Sequence, residues 1–115
     1  MFQNCIVWGH LGEQVSTNAT AVFCDIQGGF SGPFNITNDP LFVNPAGLDF
    51  QVLGGSATID SGMTLISVTN DCIGEARPYD GAWDMGAYEF IPEPGMIWIM
   101  AALGALLRIP HKKQV

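Results

Sequence analysis

The sequence predicts an all-β chain whose short strands stack as successive coils, and two observations carry that prediction. Fourteen glycines and seven prolines, with Asn, Thr and Asp scattered between short apolar runs, mark many turns and little helix. Cys5-Ile6-Val7-Trp8-Gly9 aligns on Cys24-Asp25-Ile26-Gln27-Gly28 at an offset of nineteen residues, which superposes Cys on Cys, Val7 on Ile26 and Gly on Gly. Strand-like segments recurring at this interval suit a solenoid in which neighbouring coils pair in parallel and bury a continuous core.

The first elements are the two strands of that repeat. Side chains alternate faces along a strand, so Cys5 and Val7 share one face, as do Cys24 and Ile26. Ile6 and Trp8, or Asp25 and Gln27, then face the other way. Cys5 and Cys24 fall at equivalent positions of neighbouring coils. They either stack as small apolar side chains, the preferred reading, or form a disulfide. Asp39-Pro40-Leu41-Phe42-Val43 continues the strand-like pattern. Beyond it, Gly, Ser and Asp punctuate the chain from Gly54 to Phe90, so this stretch reads as loop-rich.

The last quarter changes solvent. All eleven carboxylates lie at or before Glu93, whereas three of the four Lys and Arg residues lie after it. Pro92-Glu93-Pro94 is followed by an uncharged apolar run, Gly95 to Leu107, and then by Arg108, His111, Lys112 and Lys113. Met96 to Leu107 has no polar face, so a short apolar helix in a membrane fits it better than a docked amphipathic one. Its length, extended through Ile109 and Pro110 with Arg108 snorkelling, reaches the low edge of what spans a bilayer. The basic end resists translocation, which places the preceding body outside the cytoplasm.

Pro-Glu-Pro, an apolar stretch and a basic end together resemble the PEP-CTERM sorting signal of bacterial envelope proteins. That resemblance implies recognition by an exosortase-type membrane protease, with Pro92, Glu93 and Pro94 as the sorting motif and Arg108, Lys112 and Lys113 as the basic end. The body has its own resemblance. Asn4-Cys5-Ile6-Val7-Trp8-Gly9, Asp25-Ile26-Gln27-Gly28-Gly29, Asp39-Pro40-Leu41-Phe42-Val43, Gly55-Ser56-Ala57-Thr58-Ile59-Asp60-Ser61-Gly62, Arg77-Pro78 and Asp84-Met85-Gly86-Ala87-Tyr88-Glu89 occur in the order seen at the C-terminal end of right-handed parallel β-helix proteins. They look like the pectate-lyase-like type called choice-of-anchor Q, with Ala57-Thr58 where that family often has Pro-Ala. The expected organisation is terminal β-helix coils over residues 1–53, a loop-rich closing segment over 54–90 and a sorting and anchor tail over 91–115. The resemblance implies an upstream β-helix as partner. No signal-peptide pattern precedes the first strand, so the sequence is expected to be the end of a longer exported protein.

Composition narrows the function. The net charge is −7, and the body carries one basic side chain, Arg77, which argues against nucleic acid or an anionic membrane surface as its partner. No catalytic residue and no cofactor are expected. The leading expectation is a noncatalytic capping and anchoring module at the cell envelope. An alternative from another class is part of a polysaccharide-binding or polysaccharide-degrading β-helix, the parent then being a lyase or hydrolase. In that alternative Tyr79 and Trp83, flanked by Asp and Gly, are the aromatics expected at the surface for stacking on sugar rings.

Two further patterns compete with bland readings. Asp60-Ser61-Gly62 matches the loop of dimeric aspartic proteases, but also a turn in which Asp caps the backbone and Gly takes positive φ, and the turn is preferred. Carboxylates crowd the closing segment, and Asp71, Asp80 and Asp84 are the candidate Ca²⁺ ligands in an oxygen-rich loop. A solvated acidic surface, with Arg77 paired to a neighbouring carboxylate, is preferred there too. Cys72 is the expected exposed thiol. Asn18 and Asn35, each in an Asn-x-Thr sequence, are expected to serve as turn residues.

Overall fold

The computed structural model describes residues 1–79 and 81–92. Within them the chain is strand and coil, with six short strands and a single 3-10 turn. Strands β1 (Phe2–Gln3) and β2 (Ile6–Val7) flank Asn4 and Cys5, and β3 (Ala21–Val22) and β4 (Asp25–Ile26) flank Phe23 and Cys24. Pairing is parallel, Phe2 with Ala21, Gln3 with Val22, Ile6 with Asp25 and Val7 with Ile26. Each pair is offset by the nineteen residues of the sequence repeat.

A third level extends the ladder. Ile36 makes a parallel bridge to Asp25, the Ile36 N–H donates to the Cys24 carbonyl, and the Ile26 N–H donates to the Ile36 carbonyl. At each level a left-handed residue turns the chain between its two extended pieces: Asn4, Phe23 and Phe34, with φ of 54°, 54° and 59°. The rings of Phe23 and Phe34 stack at 4.6 Å between centroids.

The inward face of the levels is the core. Val15, Ala21, Cys24 and Ile26 are buried together, and Cys5, Val7, Ala19 and Phe30 pack against them. Asn35 fastens the second turn: its Nδ2 donates to the Ala21 and Phe30 carbonyls and its Oδ1 accepts from the Cys24 N–H. Gly32 makes that approach possible, because a Cβ there would lie within bonding distance of the Ala21 carbonyl oxygen.

Residues 42–52 depart from the stacked arrangement expected throughout residues 1–53. Strands β5 (Phe42–Asn44) and β6 (Asp49–Val52) form an antiparallel hairpin around a 3-10 turn, Pro45–Gly47. Local chemistry explains it. Asn44 accepts the Gly47 N–H, Pro45 supplies the fixed φ of a turn start, and Leu48 takes the left-handed conformation that closes it.

The described residues of 54–90 contain no strand of two or more residues and are held by turns, isolated bridges and side-chain anchors. The segment folds back against the first level, where Asn4 receives it. Asn4 Nδ2 donates to the Met63 carbonyl, its Oδ1 accepts the Met63 N–H, and its carbonyl accepts the Gly86 N–H. Among the described residues no helix is long and apolar enough to cross a membrane. The apolar helix expected in the tail, the basic residues Arg108, Lys112 and Lys113, and Glu93 and Pro94 of the sorting motif lie outside the described residues.

Candidate functional site

The closing segment gathers three carboxylates, one of them 24 residues before the nearer of the other two. Oxygens of Asp60, Asp84 and Glu89 lie within 4.8 Å of one another, Asp84 and Glu89 buried and Asp60 exposed. Backbone N–H groups hold the buried pair. Asp84 Oδ1 accepts from Asp60 at 2.8 Å and its Oδ2 from Phe90 at 2.5 Å. Glu89 Oε1 accepts from Asp84 at 3.2 Å and its Oε2 from Tyr79 at 2.9 Å.

Arg77 supplies the counter-charge. Its Nε lies 3.6 Å from Glu89 Oε1, too far for a hydrogen bond but close enough for an ion pair, and both side chains are nearly fully buried. Its terminal nitrogen donates to the Gly86 carbonyl at 2.8 Å. Burial pushes Asp84 up to about 6; the N–H groups of Asp60 and Phe90 oppose that rise, and the neighbouring carboxylates add to it. With each oxygen of the buried pair already accepting an N–H, the arrangement works as a clamp on backbone turns, and Asp60 alone keeps a side chain open to solvent.

Of the candidate Ca²⁺ ligands, Asp84 belongs to this set and Asp80 lies outside the described residues. Asp71 sits elsewhere as a turn anchor: its Oδ1 accepts from Ile73 and Glu75 and its Oδ2 from Glu89. Against desolvation, which pushes it up, those N–H groups and the Arg77 charge hold its carboxyl below the usual range. The preferred reading of Asp60-Ser61-Gly62 needs correction: the turn spans residues 57–60, and it is the Asp60 N–H, donating to Asp84, that is bonded there. Positive φ falls on Asp60, at 57°, and not on Gly62. Gly62 is required for space instead, since a Cβ would meet the Trp83 carbonyl and the Asn4 amide.

The aromatic assignment also needs correction. Trp83, expected at the surface, is 8% exposed, and its Nε1 donates to the Val68 carbonyl at 2.9 Å. Its flanking Asp and Gly mark the clamp and a neighbouring turn, not solvent. Tyr79 is exposed. Trp8, Phe42 and Phe50 line the two hollows beside the first level. Sequence reasoning placed Phe42 in a strand without separating its hollow-facing role from core packing, because strand alternation does not reveal what covers each face.

Two hollows adjoin the first level. One, of about 570 Å³, is lined by Cys5 and Ile6 of the first level together with Phe42, Leu65 and Val68. The other, of about 630 Å³, brings Trp8, Phe42 and Phe50 together with His10 and Asp39. Carbonyls of Cys5 and Val7 accept from Asp25 and Gln27, so they point to the second level. Alternation along the strand then turns the N–H and carbonyl of Ile6 the opposite way, toward the outer edge. The thiols match the preferred stacked reading: all three cysteines are free, Cys24 buried, Cys5 half-buried and Cys72 exposed. No family model matches this chain, and neither a curated protein nor a solved structure is significantly similar to it.

Proposed function

We propose that the chain is a noncatalytic end module that continues and caps a parallel stack of coils supplied by an upstream β-helix, and is held at the bacterial envelope by its C-terminal tail. One observation carries the capping part: the first level presents an outward strand edge at Ile6 beside an apolar hollow of about 570 Å³. A further extended segment entering in parallel would satisfy that edge and fill the hollow with side chains, as strand addition does elsewhere. The clamp of Asp84, Glu89 and Arg77 would fix the closing segment beside that hollow, whose wall includes Arg77, Gly86 and Ala87. The anchoring part rests on the sequence of the tail, with exosortase-type processing at Pro92-Glu93-Pro94 and the apolar run in the membrane.

A specific observation favours a rival. Trp8, Phe42 and Phe50 beside His10 and Asp39 combine apolar faces with polar groups, the combination that suits a sugar ring. On that reading the module contributes part of a polysaccharide-binding groove, and a soluble glycan would quench or shift Trp8 emission.

Amide exchange tests the capping reading. In the chain alone the Ile6 amide is expected to exchange rapidly and the Val7 amide slowly. When the coils encoded upstream of the Met1 codon are joined in frame, Ile6 should slow at least about 100-fold, since each 1.4 kcal/mol of added protection is about tenfold. An independent promoter and stop codon directly upstream, or an Ile6 amide unchanged in the joined chain, overturns the reading.

A further inference from the structure

Cys5 and Cys24 sit at corresponding positions of the first two parallel levels, one residue before the register pair Ile6 and Asp25. Paired residues of adjacent strands are about 4.8 Å apart, inside the roughly 4.4–6.8 Å Cα separation that a disulfide requires. Their side chains share the inward face, with Cys5 packed against the buried cluster containing Cys24. The two thiols differ in access. Cys24 is fully buried, whereas Cys5 is half-buried and lines the hollow of about 570 Å³.

We infer that Cys5 and Cys24 form a redox-active dithiol, in which Cys5 takes the oxidant through the hollow and Cys24 resolves it to a disulfide that staples the first two levels. The electrostatics run in the same direction. The neighbouring Cys24 side chain lowers the Cys5 thiol below its ordinary value, and the Cys5 side chain, with burial, pushes Cys24 up. The half-buried partner is therefore the better thiolate and the fully buried one keeps its proton.

The oxidant is a small-molecule disulfide. The Cys5 thiolate attacks one of its sulfurs, the S–S bond breaks, and one small thiolate leaves, giving a mixed disulfide on Cys5. With the Cys5 charge gone, Cys24 loses its proton to the departed thiolate and attacks the Cys5 sulfur, releasing the second small group as a thiolate that takes up from solvent the proton Cys5 had given to it. Two protein thiols are oxidised and one small disulfide is reduced to two thiols. The pair stands independently of the capping reading, which governs only whether a strand over the hollow shields Cys5.

The full chain is incubated with oxidised glutathione and then alkylated with N-ethylmaleimide before peptide mapping. The expected result is loss of alkylation at Cys5 and Cys24 together, with a peptide pair linked between them, while Cys72 ends as a separate mixed disulfide or stays alkylated. The same treatment in denaturing urea should abolish the preference for that pair. A Cys5 that stops at the glutathione adduct, a linkage from either residue to Cys72, or an equal yield of the Cys5–Cys24 link in urea overturns the inference. A Cys72→Ala chain, altered only at an exposed thiol, repeats the test without the third sulfur.

Discussion

Asp25 is buried on the ladder between Ile6 and Ile36, and neither of its carboxylate oxygens has a hydrogen-bond partner. Alternation assigns it to the outward face, opposite Cys24 and Ile26 of the buried cluster. Outward is not exposed here, because the closing segment folds over that face and Gly86 packs on Ile6. Desolvation, with repulsion from Asp39, raises its carboxyl to about 6 from an ordinary 3.8. A raised folded-state value means that its contribution is complete below the unfolded value and is lost as pH climbs through about 6. Asp84 carries the same sign, and Asp71, held low, the opposite one below its ordinary range. Unfolding temperature is therefore expected to be higher at pH 4.5 than at pH 7.5. Asp25→Val, matching its isoleucine neighbours, should stabilise the chain at neutral pH by about 2–3 kcal/mol and flatten roughly half of that slope, Asp84 keeping the rest. An unchanged slope in the variant would remove Asp25 as its source.

At the scale of elements, the register of the first two levels was readable because the residues that fix it repeat: a cysteine, then an apolar residue two positions on, then glycine. The third level was not, since it follows after eleven residues and not nineteen, and its Asn35-Ile36 shares only the preceding phenylalanine with Phe23-Cys24-Asp25. The clamp was half legible. Asp84-Met85-Gly86-Ala87-Tyr88-Glu89 stood out as a motif, and a carboxylate partner for Arg77 was anticipated, but hydrogen bonds from the backbone of Asp60, Tyr79 and Phe90 leave no mark in a sequence. They define the element's strength nonetheless. Glu89→Gln replaces one acceptor by an NH₂ group, which must face either the Asp84 or the Tyr79 N–H, and leaves the buried Arg77 without its counter-charge. The cost is expected to be about 3 kcal/mol, read as a lower denaturant midpoint. A loss under about 0.5 kcal/mol would mean that these bonds are made equally well to water.

Across the described residues, two bodies of different character pack together at Ile6 and Gly86 and are hydrogen-bonded through one residue. The stacked levels carry the buried apolar cluster, whereas the closing segment is held by polar anchors, so what joins them decides whether they unfold as one. Asn4 is that joint, buried, left-handed, and bonded to both Met63 and Gly86. Asparagine tolerates the left-handed conformation and offers a side chain that copies a backbone peptide, which is why it stands where the next two levels have phenylalanine. Asn4→Gly separates the two roles, since glycine keeps the turn and deletes the side chain. The expected result is a loss of about 1–3 kcal/mol, with amides from Thr58 to Met63 exchanging at least about tenfold faster while Asp25 and Ile26 change little. Equal acceleration in both bodies would show instead that the levels and the closing segment form one cooperative unit whose joint is spread over more than Asn4.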